Sequence, residues 1–217
     1  MGYVLYGDHR SGSATVEMAL AEIGAPVELR PVPLDRDAQL AEDYRRMNPM
    51  GRVPTLVLPD GMVLTESLAI LLALADRHPE AALLPLPGEA GRAVALRWMA
   101  LLASEFYPHV TRNDYPERFS ADPAHAPAIR ARAVEMGREV WSVVERHAAP
   151  APFVLGDRFS VADIYIAVLS RWMGGAAWIP SHCPRIEALT QAVAARPAAG
   201  AVFRRHFAVG QSMTGSA

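Results

Sequence analysis

The chain has 217 residues, 51% hydrophobic and 20% charged, with a formal net charge of −2. A chain of that length buries roughly 70% of its unfolded surface, so it folds without disulfide or metal staples. The absence of a basic run or stripe excludes nucleic acid as the main partner. All 21 basic residues are arginine, which removes lysine Schiff-base chemistry and any lysine-dependent phosphate loop. Cys183 is the single cysteine. An internal disulfide is therefore impossible, and a reducing, cytoplasmic compartment is expected.

Residues 3–6 (Tyr-Val-Leu-Tyr) read as a short strand. Val16, Ala19, Leu20 and Ile23 then recur at i, i+3, i+4, i+7, one face of a helix that Gly24 closes. Residues 27–30 alternate apolar and charged, the pattern of a half-buried strand, and residues 37–47 are polar and helix-compatible. Residues 55–58 and 62–64 flank Pro59-Asp60-Gly61, a turn in which Pro presets φ and Gly accepts positive φ. Leu68, Leu71, Leu72 and Ala75 mark one more helix. The order strand-helix-strand-helix-strand-strand-helix defines an α/β half over residues 1–78. Residues 79–88, with Pro79, Pro85, Pro87 and Gly88, read as a linker.

Strand signals stop beyond the linker, and residues 89–217 read as all-helical. Val94, Trp98, Leu101 and Leu102 mark one helix; Ile129, Ala133, Met136, Val140, Val143 and Val144 a second; Ile186, Leu189 and Val193 another. Residues 161–173 are apolar on nearly every side, which predicts a buried central helix. Ser160 and Asp163 have capping-box spacing, with Phe159 and Ile164 as its hydrophobic staple, so this motif is read as a folding device. Tyr107-Pro108 predicts a stop or kink. The apolar run over residues 68–75 is too short to cross a bilayer, and neither a signal peptide nor a membrane partner is expected.

Three short motifs carry possible chemistry. Arg10-Ser11-Gly12-Ser13 joins the first strand to the first helix. Its hydroxyls fit an N-cap, or an anion site in which free N–H groups and the positive helix end favour a thiolate or carboxylate. Asn48-Pro49-Met50-Gly51-Arg52-Val53-Pro54-Thr55 precedes a strand. A cis bond before Pro54 would leave the Val53 backbone groups facing outward, able to pair with an extended peptide. Thr65-Glu66-Ser67 opens the third helix: Thr65 fits an N-cap, while Glu66 and Ser67 could hold an ammonium and a carboxylate. The seven histidines lack metal-ligand spacing, so no metal is expected.

In this order and strand context, the motifs resemble the glutathione transferase superfamily over roughly residues 3–207. NPMGRVPTL followed by TES is the most specific part, and FSVADIYIA the next. The resemblance implies a thioredoxin-like first half and a helical second half. It implies glutathione as co-substrate: Pro54 cis, Val53 pairing with the cysteinyl backbone, Glu66 and Ser67 holding the γ-glutamyl end, and Arg52 reaching the glycyl carboxylate. It also implies a homodimer.

Thiol activation needs a donor to the thiolate. One charge-assisted hydrogen bond contributes about 1.5–3 kcal/mol, enough to lower a thiol pKa by about one to two units. Ser11 is the first candidate, its spacing similar to the active serine of zeta-class transferases, and Ser13 the second. Tyr6 reads as core and His9 as a loop or pocket residue. The second half resembles the beta class, yet the catalytic cysteine of that class is absent from the first loop. Cys183, before Pro184, reads as structural. The electrophile, expected to be small and hydrophobic, belongs between the halves, near Tyr107, with Asn113, Tyr115 and Trp172 as further candidates. A glutathione-dependent isomerase and a non-catalytic binding module are the alternatives.

Overall fold

The computed structural model describes residues 2–207. Strand β1 (Tyr3–Gly7) crosses over through α1 (Ser13–Ile23) to the parallel strand β2 (Val27–Pro31). Two 3-10 turns and the short α2 (Glu42–Met47) lead to β3 (Thr55–Val57), antiparallel to β1. Strand β4 (Val63–Thr65) pairs antiparallel with β3, and α3 (Ser67–Arg77) follows. The sheet order is β2-β1-β3-β4, a thioredoxin-like arrangement with the expected sequence of elements.

Local chemistry accounts for most boundaries and corrects several expectations. Gly24 ends α1 at φ 73°, its N–H returning to Leu20 and Ala21, a left-handed C-cap that other residues adopt at a cost. α1 lacks the single apolar face read from its sequence: every residue from Ser13 to Leu20 is buried, because helices cover the side turned away from the sheet. β2 lies at the sheet edge and is mostly exposed rather than half-buried, with Leu29 48% exposed. Only the second half of the 37–47 stretch is α-helical; Ala38–Leu40 forms a 3-10 turn. The buried face of α3 is Ser67, Ile70, Leu71, Leu74 and Ala75, so Leu68 and Leu72 sit at its margin.

The second half contains α4 (Ala90–Leu101), α5 (Tyr107–Asp114), α6 (Ala126–His147), α7 (Val161–Leu169), α8 (Gly175–His182), α9 (Pro184–Ala194) and α10 (Pro197–Phe207). A π-helical turn, Leu102–Phe106, joins α4 to α5. This is the interruption expected at Pro108, which has no N–H for the carbonyl one turn back. Val94 is 41% exposed and Ala95 takes its place in the core. α7 is shorter than read: it ends at Leu169, and Met173 (φ 53°) and Gly174 (φ 77°) turn the chain.

All nine residues of α7 are buried, each large aliphatic side chain contributing roughly 1.5–3 kcal/mol. The expected capping box is formed: Ser160 N–H donates to Asp163 Oδ2 at 2.7 Å, its hydroxyl at 3.0 Å, and Val154 N–H donates to Oδ1 at 2.8 Å. One hydrophobic core spans both halves, with α1 against α3, α7 and α10. The cleft between the halves opens beside the amino-terminal end of α1. Among the described residues, no helix is long and apolar enough to cross a membrane.

Candidate active site

The loop from Asp8 to Gly12 is built around one carbonyl. Asp8 O accepts from the Ser11 hydroxyl at 2.8 Å and the Ser13 hydroxyl at 3.1 Å, and the two hydroxyl oxygens are 2.8 Å apart. The Asp8 carboxylate accepts from the N–H groups of His9 (2.7 Å) and Leu34 (2.9 Å), tying the loop to the segment after β2. Neither serine caps α1 in the ordinary way; the N-cap is Gly12, with no side-chain cap bond. Ser11 lines the inter-half cavity. Ser13 lies behind it, pressed on Gly7. Tyr6, read as core, is half-buried, its hydroxyl accepting from Arg30 at 2.8 Å.

The 48–55 segment is held from below. The Arg52 carbonyl accepts from the Tyr44 hydroxyl (2.6 Å) and from Asn48 Nδ2 (2.7 Å), both buried side chains. Gly51 turns at φ 58°, where a side chain would press on the Gln39 carbonyl. The Val53-Pro54 bond is cis. Among the described residues, neither backbone group of Val53 has a hydrogen-bond partner. Glu66 takes φ 64° as the N-cap of α3, while Thr65 remains in β4 and so is not the cap.

Two cavities meet over this segment. The smaller, ≈ 300 Å³, is walled by Arg52, Val53, Pro54, Glu66 and Ser67 from the first half and by Tyr107 and Tyr165 from the second. The larger, ≈ 500 Å³, lies between the halves and includes His9, Ser11, Tyr107, Tyr115 and Trp172. Tyr107 belongs to both. Its hydroxyl packs on Gly12 and neighbours Ser67. Burial, with Tyr165 alongside, pushes its ionisation far above the ordinary tyrosine range, so the hydroxyl keeps its proton and can donate a hydrogen bond. Burial likewise pushes Tyr165 up to about 12.

Of the residues singled out in the sequence, Arg52, Val53, Pro54, Glu66, Ser67, Ser11, Tyr107, Tyr115 and Trp172 converge on the cleft. Asn113 does not; it bonds the Asp114 carboxylate at 2.8 Å outside both cavity walls. Cys183 is buried at the start of α9, and burial pushes its thiol to about 11. Gln39 stands outside every motif, and Asn48 and Tyr165 stand inside motifs that give them no role at the site. Gln39 is 2% exposed, lines the larger cavity, and leaves its Oε1 without a hydrogen-bond partner. No motif marks it, because its burial depends on Gly51 packing across it. Among the described residues, no group of three His, Cys, Asp or Glu side chains could hold a metal ion.

A thioredoxin-like sheet with a cis-proline loop thus faces an all-helical half across a divided cleft. The chain matches the family descriptions "Glutathione S-transferase, N-terminal domain" over residues 12–77 and "Glutathione S-transferase, C-terminal domain" over residues 127–205. It is 28% identical over 203 residues to the uncharacterized GST-like protein YncG of Escherichia coli K12, covering 93% of this chain and 97% of that one. It is 31% identical over 160 residues to glutathione S-transferase GstA of Escherichia coli O157:H7, covering 72% and 74%. The solved structure of a glutathione transferase homologue from Sulfitobacter, with bound glutathione, superposes with a TM-score of 0.87 at 29% identity, covering 94% and 98%. The chain belongs to the glutathione transferase superfamily.

Proposed function

We propose that this protein activates glutathione as a thiolate and transfers it to a small, largely apolar electrophile. The observation that carries the reading is the shared wall of the two cavities: Arg52, Val53 and Tyr107 line both, Glu66 and Ser67 lie on one side and Ser11 on the other. One extended tripeptide can span that wall. Glu66 would take its ammonium, and Ser67 with the start of α3 its α-carboxylate. The unpaired Val53 backbone would take the cysteinyl unit as an added strand. Arg52 would take the glycyl carboxylate.

The sulfur then falls near the amino-terminal end of α1, beside Ser11. The Ser11 proton now points to Asp8 O, which Ser13 also serves. Ser13 can hold that carbonyl alone while Ser11 turns its proton to the sulfur. The Tyr107 hydroxyl offers a second donor over Gly12. Glutathione releases its thiol proton to water; the thiolate forms a C–S bond, and the leaving group departs with its electron pair, or, in an addition, the electrophile's carbon takes a proton from water instead. The superfamily assignment also supports a homodimer, which light scattering would reveal by mass.

The deciding measurement is calorimetric binding of glutathione together with conjugation of chlorodinitrobenzene, with Ser11→Ala and Ser13→Ala alongside. Binding and turnover in the parent protein, with turnover lost in Ser11→Ala, are expected. Absence of binding at millimolar glutathione would overturn the reading; binding without turnover would make the protein a binding module.

A further inference from the structure

The larger cavity has a charge imbalance that a plain apolar substrate leaves unused. Arg10 enters it from the first half and Arg118 from the turn after α5. Among the described residues, neither has a carboxylate within ion-pair distance. Arg171, on the same wall, is neutralised by Glu187 at 2.8 Å. Asp114 is the one acid in the lining. With Arg52 committed to glutathione, two cations face one anion.

The Arg10 backbone and the Arg118 guanidinium are each fixed by tertiary contacts. Arg10 sits at φ 59°, a left-handed conformation that is strained for a non-glycine residue and persists only where surroundings impose it. Two tertiary bonds impose it: the Arg10 N–H donates to His206 Nδ1 at 3.0 Å, and Trp172 Nε1 donates to the Arg10 carbonyl at 2.8 Å. The Arg118 guanidinium lies over the Tyr115 ring, 3.9 Å from its centroid. Stacking orients the plane of its N–H fork and leaves the donors available for a carboxylate. Trp172 and Tyr115 line the same cavity and supply flat apolar walls.

We propose that the electrophile is a flat, apolar molecule bearing a single carboxylate, which Arg10 and Arg118 receive. This assignment rests on the transferase reading above and names its second substrate class.

The test pairs chlorodinitrobenzoate with its methyl ester, each conjugation rate divided by its uncatalysed rate with glutathione. Calorimetric binding of unreactive dinitrobenzoate and its ester to the glutathione-loaded protein runs alongside. The acid should bind and react better than the ester by about tenfold. That ratio should collapse toward unity in Arg118→Gln and Arg10→Gln, and shrink with added salt. Equal or tighter ester binding in the parent protein would overturn the proposal, as would an acid preference unaltered in both variants. Acid-selective binding without conjugation of either compound would remove the transferase reading while leaving the anion site standing.

Discussion

In the proposed reaction, Ser11 and Tyr107 are the two hydroxyl donors beside the sulfur. Ser11→Ala is expected to raise the pKa of bound glutathione by about one to two units, and to slow conjugation at neutral pH about ten- to hundredfold. The pH dependence of kcat/KM checks both. Tyr107→Phe keeps the ring and removes a donor that burial holds protonated. A fall in kcat of about tenfold, with less than about a threefold change in glutathione affinity, is expected from single-turnover kinetics. At this scale Val53-Pro54 and Glu66-Ser67 were legible because their groups are consecutive in the chain. Gln39 and Tyr165 were not, since their chemistry arises from neighbours distant in sequence.

Among the elements, α7 and its capping box show how a motif sets an energy. Three donors converge on Asp163, and Asp163→Ala leaves them buried without an acceptor. A loss of about 2–4 kcal/mol in urea unfolding is expected. Burial nevertheless outweighs these donors and raises the Asp163 carboxyl to about 6, above the ordinary aspartate value. A carboxyl that binds its proton more tightly folded than unfolded stabilises most below the unfolded value, and that contribution is lost as pH rises through the folded one. Relative to Asp163→Asn, the parent protein should therefore lose about 2–3 kcal/mol between pH ~4 and ~6, read from Tm across that window. The capping box was legible because four residues contain it. α8 and α10 were not: Pro180 interrupts the first, and the second presents alanine, glycine and arginine rather than a long apolar face.

Across the whole molecule, α10 returns to the start of the chain. His206 Nε2 and Arg205 both meet the Glu17 carboxylate on α1, and His206 Nδ1 accepts the Arg10 N–H. Accepting at Nδ1 places the imidazole proton on Nε2, toward Glu17. Burial works to raise Glu17, but the His206 hydrogen bond and the Arg205 charge overcome it and hold the carboxyl below its usual value. His206→Ala leaves Glu17 with Arg205 alone and takes the acceptor from the Arg10 N–H. It should cost about 2–4 kcal/mol in chemical denaturation. It should also raise the KM of the second substrate more than that of glutathione, since Arg10 lines the larger cavity and not the smaller.

By itself the sequence determined the order of elements, the change from α/β to all-helical, the capping box, and the Val53-Pro54 and Glu66-Ser67 motifs, while the cis bond before Pro54 came from the structure. Each depends on periodicity or on side chains a few residues apart, where local sterics and hydrogen bonding decide. The tertiary structure alone decided that α1 is buried all round, that Tyr107 from the second half packs over Gly12, and that His206 and Trp172 clamp Arg10 beside the larger cavity. Those outcomes require groups separated by as many as 196 residues to meet, and only the packing of the two halves brings them together.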